Sequence, residues 1–516
     1  MLTNNLFLNY FWRVFLLLLF VLILARTAWL DDHAYITFRT IDNFINGYGL
    51  TWNIAERVQA YTHPLWMFLL SCLYYFTQEI YFTSLIFSMV ISTLAVFLLA
   101  FKLSRSFFAS ITVLCVLILS QAFMDFSTSG LENPLSHLLL ALFYLIYFQW
   151  DIKENKVTFL LALVACLAIL NRMDSILMYI PALLYILWQD WHKAKIMIFA
   201  FLPFVAWEIF SLIYYGSLFP NTAYAKLNTG IPSVELMHQG IVYLKDSFVR
   251  DTLTLFTIFL SAFLLFITKQ WKLLPLLVAN LLALLYVVKV GGDFMSGRFF
   301  TLILFNSCII LSQIPWQIFT CQLIKGFTLA VLVGLGFHAV SPTIASSQFS
   351  NNQEVPPNGI VDERSFYFQA TGLFRNLRSQ NRQELVHEWV NEGKKLKSSE
   401  QKVAILTSIG YAGYYAGPKV LIIDKLGLSN AFLSRLPINT YDDWYKHTGK
   451  RWRIGHFYRE AKPDYINSVK QGKNLIRDPK EAKLYDQIAL ITRGNLFTYE
   501  RWKAILQVNF SWLFGN

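Results

Sequence analysis

The chain has 516 residues, 55% of them hydrophobic and only 15% charged, with a formal net charge of +12. A soluble protein would carry about 25% charged residues, so a wholly soluble fold is excluded and a polytopic membrane protein is expected. Residues 342–516 hold 25 Lys and Arg against 16 Asp and Glu, which suits anionic lipid or an acidic glycan; no recognition motif accompanies the charge, so nucleic acid is excluded as a partner.

The first apolar run, 11–30, is long enough to span and has no small-residue cleavage site after it, so it reads as a retained helix. It opens directly onto "WLDDHAYITFRT" (29–40), which places Asp31 and Asp32 at the mouth of a span, followed by a juxtamembrane helix over 34–47. The next segment, 64–77, begins at Pro64. Its 14 residues would reach about 21 Å as a helix, against a hydrocarbon core of about 30 Å. It is expected to lie at the surface or re-enter without crossing. Further spans are expected at 81–101, 107–124, 134–150, 157–170, 175–188, 195–214, 252–268, 273–289, 298–313 and 323–341, about eleven in all.

Charge orients them. If 64–77 does not cross, Lys102, Arg105, Lys153, Lys156, Lys193, Lys195, Lys269, Lys272 and Lys325 share one set of short loops, which the positive-inside rule makes cytoplasmic. The opposite face then receives "DDH" (31–33), "TSGLENPL" (128–135), "LNRMDS" (170–175), "FPNTAYAK" (219–226) and "GGDFMSGRFF" (291–300). Their convergence on one outward cavity is the functional signal. The expected division is a transmembrane domain over 1–341, with 31–80 as its first outer loop, and an extracytoplasmic α/β domain over 342–516. In that domain "KVAILT" (402–407), "KVLIID" (419–424) and "QIALIT" (487–492) read as strands, and 370–393 reads as an amphipathic helix. All five cysteines lie in or beside apolar runs and none beyond 341, which excludes a disulfide framework or a zinc site in the soluble part.

A transferase that uses a lipid-phosphate sugar needs a carboxylate to take the acceptor proton, cations or a metal for the leaving phosphate, and an apolar groove for the lipid. Asp31 or Asp32 can be the base, although either could simply cap a helix. Arg172, Lys226 and Arg298 can hold phosphate, snorkel to headgroups, or pair internally with Asp174 and Asp293. Glu132 suits a helix N-terminus or sugar hydroxyls. His33 and His63 read as hydrogen-bonded structural groups or ligands, and Tyr61 and Trp66 as interfacial aromatics. A transporter or flippase of lipid-linked glycans is the rival reading; it predicts charges midway along spans and inverted repeats.

At these residues the chain resembles the GT-C superfamily of polyprenyl-phosphate-sugar-dependent glycosyltransferases. More narrowly, "DDHAYITFRTIDNFINGYGLTWNIAERVQAYTHPLW" (31–66), "SGLENPL", "NRMDSIL", "NTAYAK", "GGDFMSGRFF" and "VLIIDKLGLSN" (420–430) are similar to the terminal arabinofuranosyltransferase family and its bacterial relatives. The resemblance runs from about residue 10 to about 460. It implies a bacterial inner-membrane enzyme, working with inversion from a polyprenyl-phosphate sugar onto an envelope glycan such as arabinan, lipopolysaccharide or capsule. It makes Asp31 the base, supported by Asp32. Arg298, Lys226 and Arg172 would hold the donor phosphate. Arg39, Tyr61, His63, Glu132, Asn133, Asp174, Asn221, Tyr224 and Asp293 would line the substrates. A divalent metal assists in several GT-C enzymes. Two positions depart from the family pattern: His63 stands where Asn is usual, and Ser296 where Pro is usual.

Overall fold

The computed structural model describes residues 2–227, 229–337, 355–378, 385–438 and 451–509. Its contacts divide the chain into two compact units: 1–31, 81–202 and 233–384 in the first, and 32–80, 203–232 and 385–516 in the second. The hydropathy division at 341/342 cuts the chain once. The contact division follows three separate segments per unit, because 32–80 and 203–232 are built into the same unit as 385–516.

The first unit is helical. Among the described residues each of the eleven expected stretches falls largely on helix; 203–214 of the stretch 195–214 belongs to the second unit, and 338–341 lie outside the described residues. Among the described residues, three helices are individually long and apolar enough to cross a membrane: Phe7–Thr27, Ile80–Leu103 and Trp271–Lys289, or five if each bent pair counts as one span. The chain is a multi-pass membrane protein. Breaks have local causes: Ser120 ends one helix and accepts from the Phe123 N–H to start the next turn, and Asp251 does the same toward Thr254.

At the centre of this unit lies Phe300–Gln313, buried at every residue except Leu302. Its polar residues are paired across helices. Asn306 donates to the Leu276 carbonyl at 2.9 Å and to Asn280 at 2.8 Å, and Asn280 donates to Ser307 at 2.9 Å. Such interhelical bonds fix rotation and register where every face is apolar. The helix that follows Arg298 is therefore held rigidly. Helix Ser233–Arg250 is turned inside out: Gln239, Tyr243, Asp246 and Ser247 are buried, while Val234, Met237, Ile241 and Phe248 are exposed. It lies at 104° to Thr252–Ile267.

The second unit begins with helix Asp32–Ile45 and includes Pro64–Thr77, the expected 14-residue helix. Among its described residues two strands, Val403–Leu406 and Leu421–Asp424, pair in parallel, with Val403 opposite Leu421. Asn53, from the first outer loop, extends the sheet edge: its side chain exchanges 3.1 Å bonds with both main-chain groups of Ile422. Ile36, Trp52 and Ala60 share a core with Ala404, Leu406, Ala412 and Ile422. A second cluster joins Val58 to Ile423, Phe432, Tyr485 and Ile505.

Three expectations are corrected. "QIALIT" lies in helix Pro479–Arg493, started by Asp478, which accepts from the N–H groups of Lys480 and Glu481. Its buried residues, Tyr485, Ile488, Ile491 and Thr492, keep helical spacing. The 370–393 helix is replaced by Glu363–Thr371, which ends at Gly372, by Leu373–Arg378, and by Glu388–Ser398; residues 379–384 lie outside the described residues. Tyr61 and Trp66 are buried at 1% and 0% exposure and so are not interfacial side chains.

Candidate active site

In the first unit the "WLD" segment is tied down by its main chain. The Trp29 indole donates to the Asp125 carbonyl at 2.7 Å, the Leu30 N–H to Thr371 Oγ1 at 3.1 Å and the Asp31 N–H to the Ser129 carbonyl at 3.0 Å. Asp31 is fully buried. Three residues beyond Ser129 stands Glu132, 1% exposed and gripped by two arginines. Arg172 Nη1 donates to its Oε1 at 3.0 Å and Arg298 Nη2 at 2.9 Å. Arg172 also forks onto Asp174 through Nε at 2.6 Å and Nη2 at 2.9 Å, and Arg298 lies 3.6 Å from Asp293. Burial works against the Arg172 charge, but Asp174 and Glu132 outweigh it and hold its pKa well above the usual arginine value. Three carboxylates thus face two guanidinium groups. The arginines are the struts of an ion network, as the internal pairing with Asp174 and Asp293 anticipates.

Asn133 donates to Thr301 Oγ1 at 3.1 Å. A cleft with about 500 Å³ of unfilled space adjoins the network, lined by Arg172, Asp174 and Arg298 together with the apolar Leu177, Val287 and Ile303. That mixture suits an amphiphile with a polar end. The "GGDFMSGR" turn is fixed by its own partners. Gly292, at φ +73°, packs on Tyr243, where a Cβ would fall 2.5 Å from ring carbon Cγ. The Tyr243 hydroxyl donates to the Met295 carbonyl. Ser296 explains its own departure from the family pattern: its hydroxyl donates to Asp246 at 2.6 Å and its N–H to the Val361 carbonyl at 2.9 Å. A proline would lose both bonds.

Asp32 lies in the second unit and does a different job from its neighbour. Its Oδ2 accepts from the Gly410 N–H at 3.1 Å and its Oδ1 from the Tyr411 N–H at 2.6 Å, at the start of helix Tyr411–Ala416. A Cβ at Gly410 would lie 1.8 Å from the Asp32 carbonyl oxygen, so only glycine fits there. Arg39 is also tied into the fold. It is buried, stacked 4.3 Å over Trp52, and donates to the carbonyls of Trp52, Gly413 and Val420. Asn221 bridges the carbonyls of Gly427 and Leu428 and accepts from Ser434. Tyr61 pairs with the Tyr215 hydroxyl at 2.9 Å, and His63 Nε2 with Thr37 at 2.9 Å. The Tyr224 hydroxyl meets Ser217 at 2.9 Å, and its ring lies 4.3 Å under the Arg435 guanidinium.

Lys226 sits in a basic cluster that the sequence reading passes over. A Cβ at Gly455 would lie 3.1 Å from Lys226 Nζ, and the His33 and His456 rings are 5.6 Å apart. Burial, then Arg453, His33 and Lys226, push the His456 pKa well below the usual histidine value. The only sequence signal is the basic, aromatic run "RWRIGHFYRE" (451–460), more than two hundred residues from Lys226. Among the described residues, no group of three or more His, Cys, Asp or Glu side chains is arranged to hold a metal.

Comparison with known proteins places these features. Residues 61–215 match the family model of dolichyl-phosphate-mannose-protein mannosyltransferases. A terminal beta-(1->2)-arabinofuranosyltransferase of Mycobacterium tuberculosis is 26% identical, over 86% of this chain and 82% of its own length. Its namesake in Corynebacterium glutamicum is 28% identical over 66% of this chain, which spans 56% of that relative. No solved structure matches.

Proposed function

We propose, for a membrane glycosyltransferase of the GT-C type close to the terminal arabinofuranosyltransferases, that the donor is a polyprenyl-phosphate sugar and Asp31 the base. The acceptor is an envelope glycan and the sugar a pentofuranose, arabinofuranose being what the relatives' names supply. The work is assigned to the outer face of a bacterial inner membrane, with about eleven crossings and an extracytoplasmic domain over 342–516. One observation supports this division of roles: Asp32 has both oxygens engaged by main-chain N–H groups, which suits a structural part, and Asp31 is taken as the base.

Asp31 takes the proton of the acceptor hydroxyl as that oxygen attacks the anomeric carbon. The bond from that carbon to the phosphate oxygen breaks on the opposite face, with inversion, and polyprenyl phosphate leaves. Lys226 carries the charge that develops on the phosphate, with Arg453 and His456 beside it. Arg172 and Arg298 hold Glu132 and shape the amphiphilic cleft, and Glu132, Asp174, Asp293 and Asn133 face the sugar from that network.

The test is transfer from purified lipid-linked donor by Asp31→Asn, together with mass spectrometry of envelope glycans from a deletion strain. Loss of a terminal pentose and an inactive variant are expected. Normal turnover by Asp31→Asn removes the base, and an unchanged glycan profile removes the acceptor class.

A further inference from the structure

A second cleft lies wholly within the second unit, with about 320 Å³ of unfilled space, lined by Arg57, Gln59, Ser217, Tyr224, Arg435 and Thr492 among others. Among the described residues, neither of its arginines has a carboxylate partner. Arg435 Nη1 donates to the Ala431 carbonyl at 2.8 Å, and its flat face rests 4.3 Å from the Tyr224 ring. Its Nε and Nη2 have no partner there. Arg57 donates through Nε to the Tyr214 carbonyl at 3.2 Å and through Nη2 to the Gly494 carbonyl, which leaves Nη1.

The nearest acid in sequence, Glu56, is engaged by Asn53 at 3.1 Å and Arg493 at 3.5 Å. Arg501 adds a third positive charge, donating at 3.1 Å to the same Tyr214 carbonyl that Arg57 uses. Burial presses the pKa of both Arg57 and Arg435 down from the usual arginine value, as expected of desolvated cations with no counter-charge.

This contrasts with the first unit, where each arginine of the network meets carboxylates. Guanidinium groups held by carbonyls on one edge, with fork positions left over, match planar anions. The hydroxyls of Ser217 and Thr492 beside them donate to the Phe219 and Ile488 carbonyls, and their oxygens can accept from a sugar hydroxyl. We propose that the cleft bounded by Arg57, Tyr224 and Arg435 is a subsite for the anionic group, carboxylate or phosphate, of an acidic acceptor glycan. This rests on the glycosyltransferase reading for the identity of its ligand. It makes the acceptor an acidic polysaccharide and not a neutral arabinan.

The full chain in lipid nanodiscs is titrated with glucuronate, inorganic phosphate and glucose. Wild type should bind at least one anion, more weakly as salt rises, and not glucose. Glucuronate binding identifies a uronic acid and phosphate binding a phosphorylated glycan. Arg435→Gln and Arg57→Gln should each lose about tenfold in affinity or more, as for a lost charge-assisted bond, and Arg435→Lys should fall between. If Arg435→Gln does not fold, Arg57→Gln decides. Unchanged affinity in the Gln variants, no anion binding by wild type, or a loss seen only with Lys226→Gln would overturn the proposal. Asp31→Asn should bind the anion as wild type does. Failure of the base assignment would show in turnover, and failure of the subsite in these titrations.

Discussion

On the proposed assignment the two adjacent acids have a chemical and a structural role, and substitution should separate them. Asp31→Asn should lower turnover about 10²–10⁴-fold while the unfolding temperature hardly moves. Asp32→Asn replaces one acceptor oxygen by an NH₂ that faces a main-chain N–H, which should cost about 1–3 kcal/mol of stability, read by thermal unfolding in detergent. Glu132 offers a second test. Removing Arg298 leaves a buried carboxylate with Arg172 alone, a loss on the order of 3–5 kcal/mol. Arg298→Ala combined with Glu132→Gln should recover part of that loss, and strictly additive effects in the double-mutant cycle would mean that the 2.9 Å contact is not an energetic one. His456 adds a pH dependence. Its folded pKa lies well below the reference value of 6.5, so the unfolded chain takes up the proton first as pH falls. The stability of the neutral ring is complete above that value and is lost as pH drops through it. The melting temperature should decline from pH 7 to pH 5, and His456→Gln should flatten that decline.

At the scale of elements, the strand–glycine–helix unit around Gly410 is the most exacting junction in the second unit. Gly410→Ala would drive a methyl into the Asp32 main chain, so the strand Val403–Leu406 and helix Tyr411–Ala416 must move apart. A drop of several degrees in melting temperature is expected, and an unaffected melt would mean that the junction is loose. Most elements were legible beforehand because hydropathy alone fixes a membrane helix: Pro64 and the short apolar run gave Pro64–Thr77 with both ends correct. The strand expected at 487–492 failed because β-branched residues were weighed above the Asp478, Pro479 and Glu481 start signal that lies just before them. Helix Ser233–Arg250 escaped notice because its apolar residues face outward and its polar ones inward, the reverse of the pattern sought.

At the scale of the molecule, the site residues were legible as motifs, but their partners were not. Glu132 finds Arg298 across 166 positions, and Arg39 finds Gly413 across 374. No local pattern encodes such pairings. The cut at 341/342 likewise follows composition, whereas the second unit is assembled from 32–80, 203–232 and 385–516. A fragment comprising only 342–516 lacks Ile36, Trp52 and Ala60 from one core and Val58 from the other. It also lacks Asn53, which completes the sheet edge at Ile422. That fragment should show no cooperative thermal transition by circular dichroism, and adding 32–80 through a linker should improve it. A sharp melt of the isolated fragment would show that the outer loops are accessory.

The three-segment build also sets a timetable for biosynthesis. The loop 32–80 leaves the ribosome some 300 residues ahead of the segment it packs against. At about 5–20 residues per second, it waits roughly 15–60 s with Trp52 and Ile36 lacking their partners. Throughout that interval the nascent chain presents apolar surface without its partner segment. Its yield in a cell should therefore depend on holdase chaperones at the membrane exit, and slowing translation should increase that dependence.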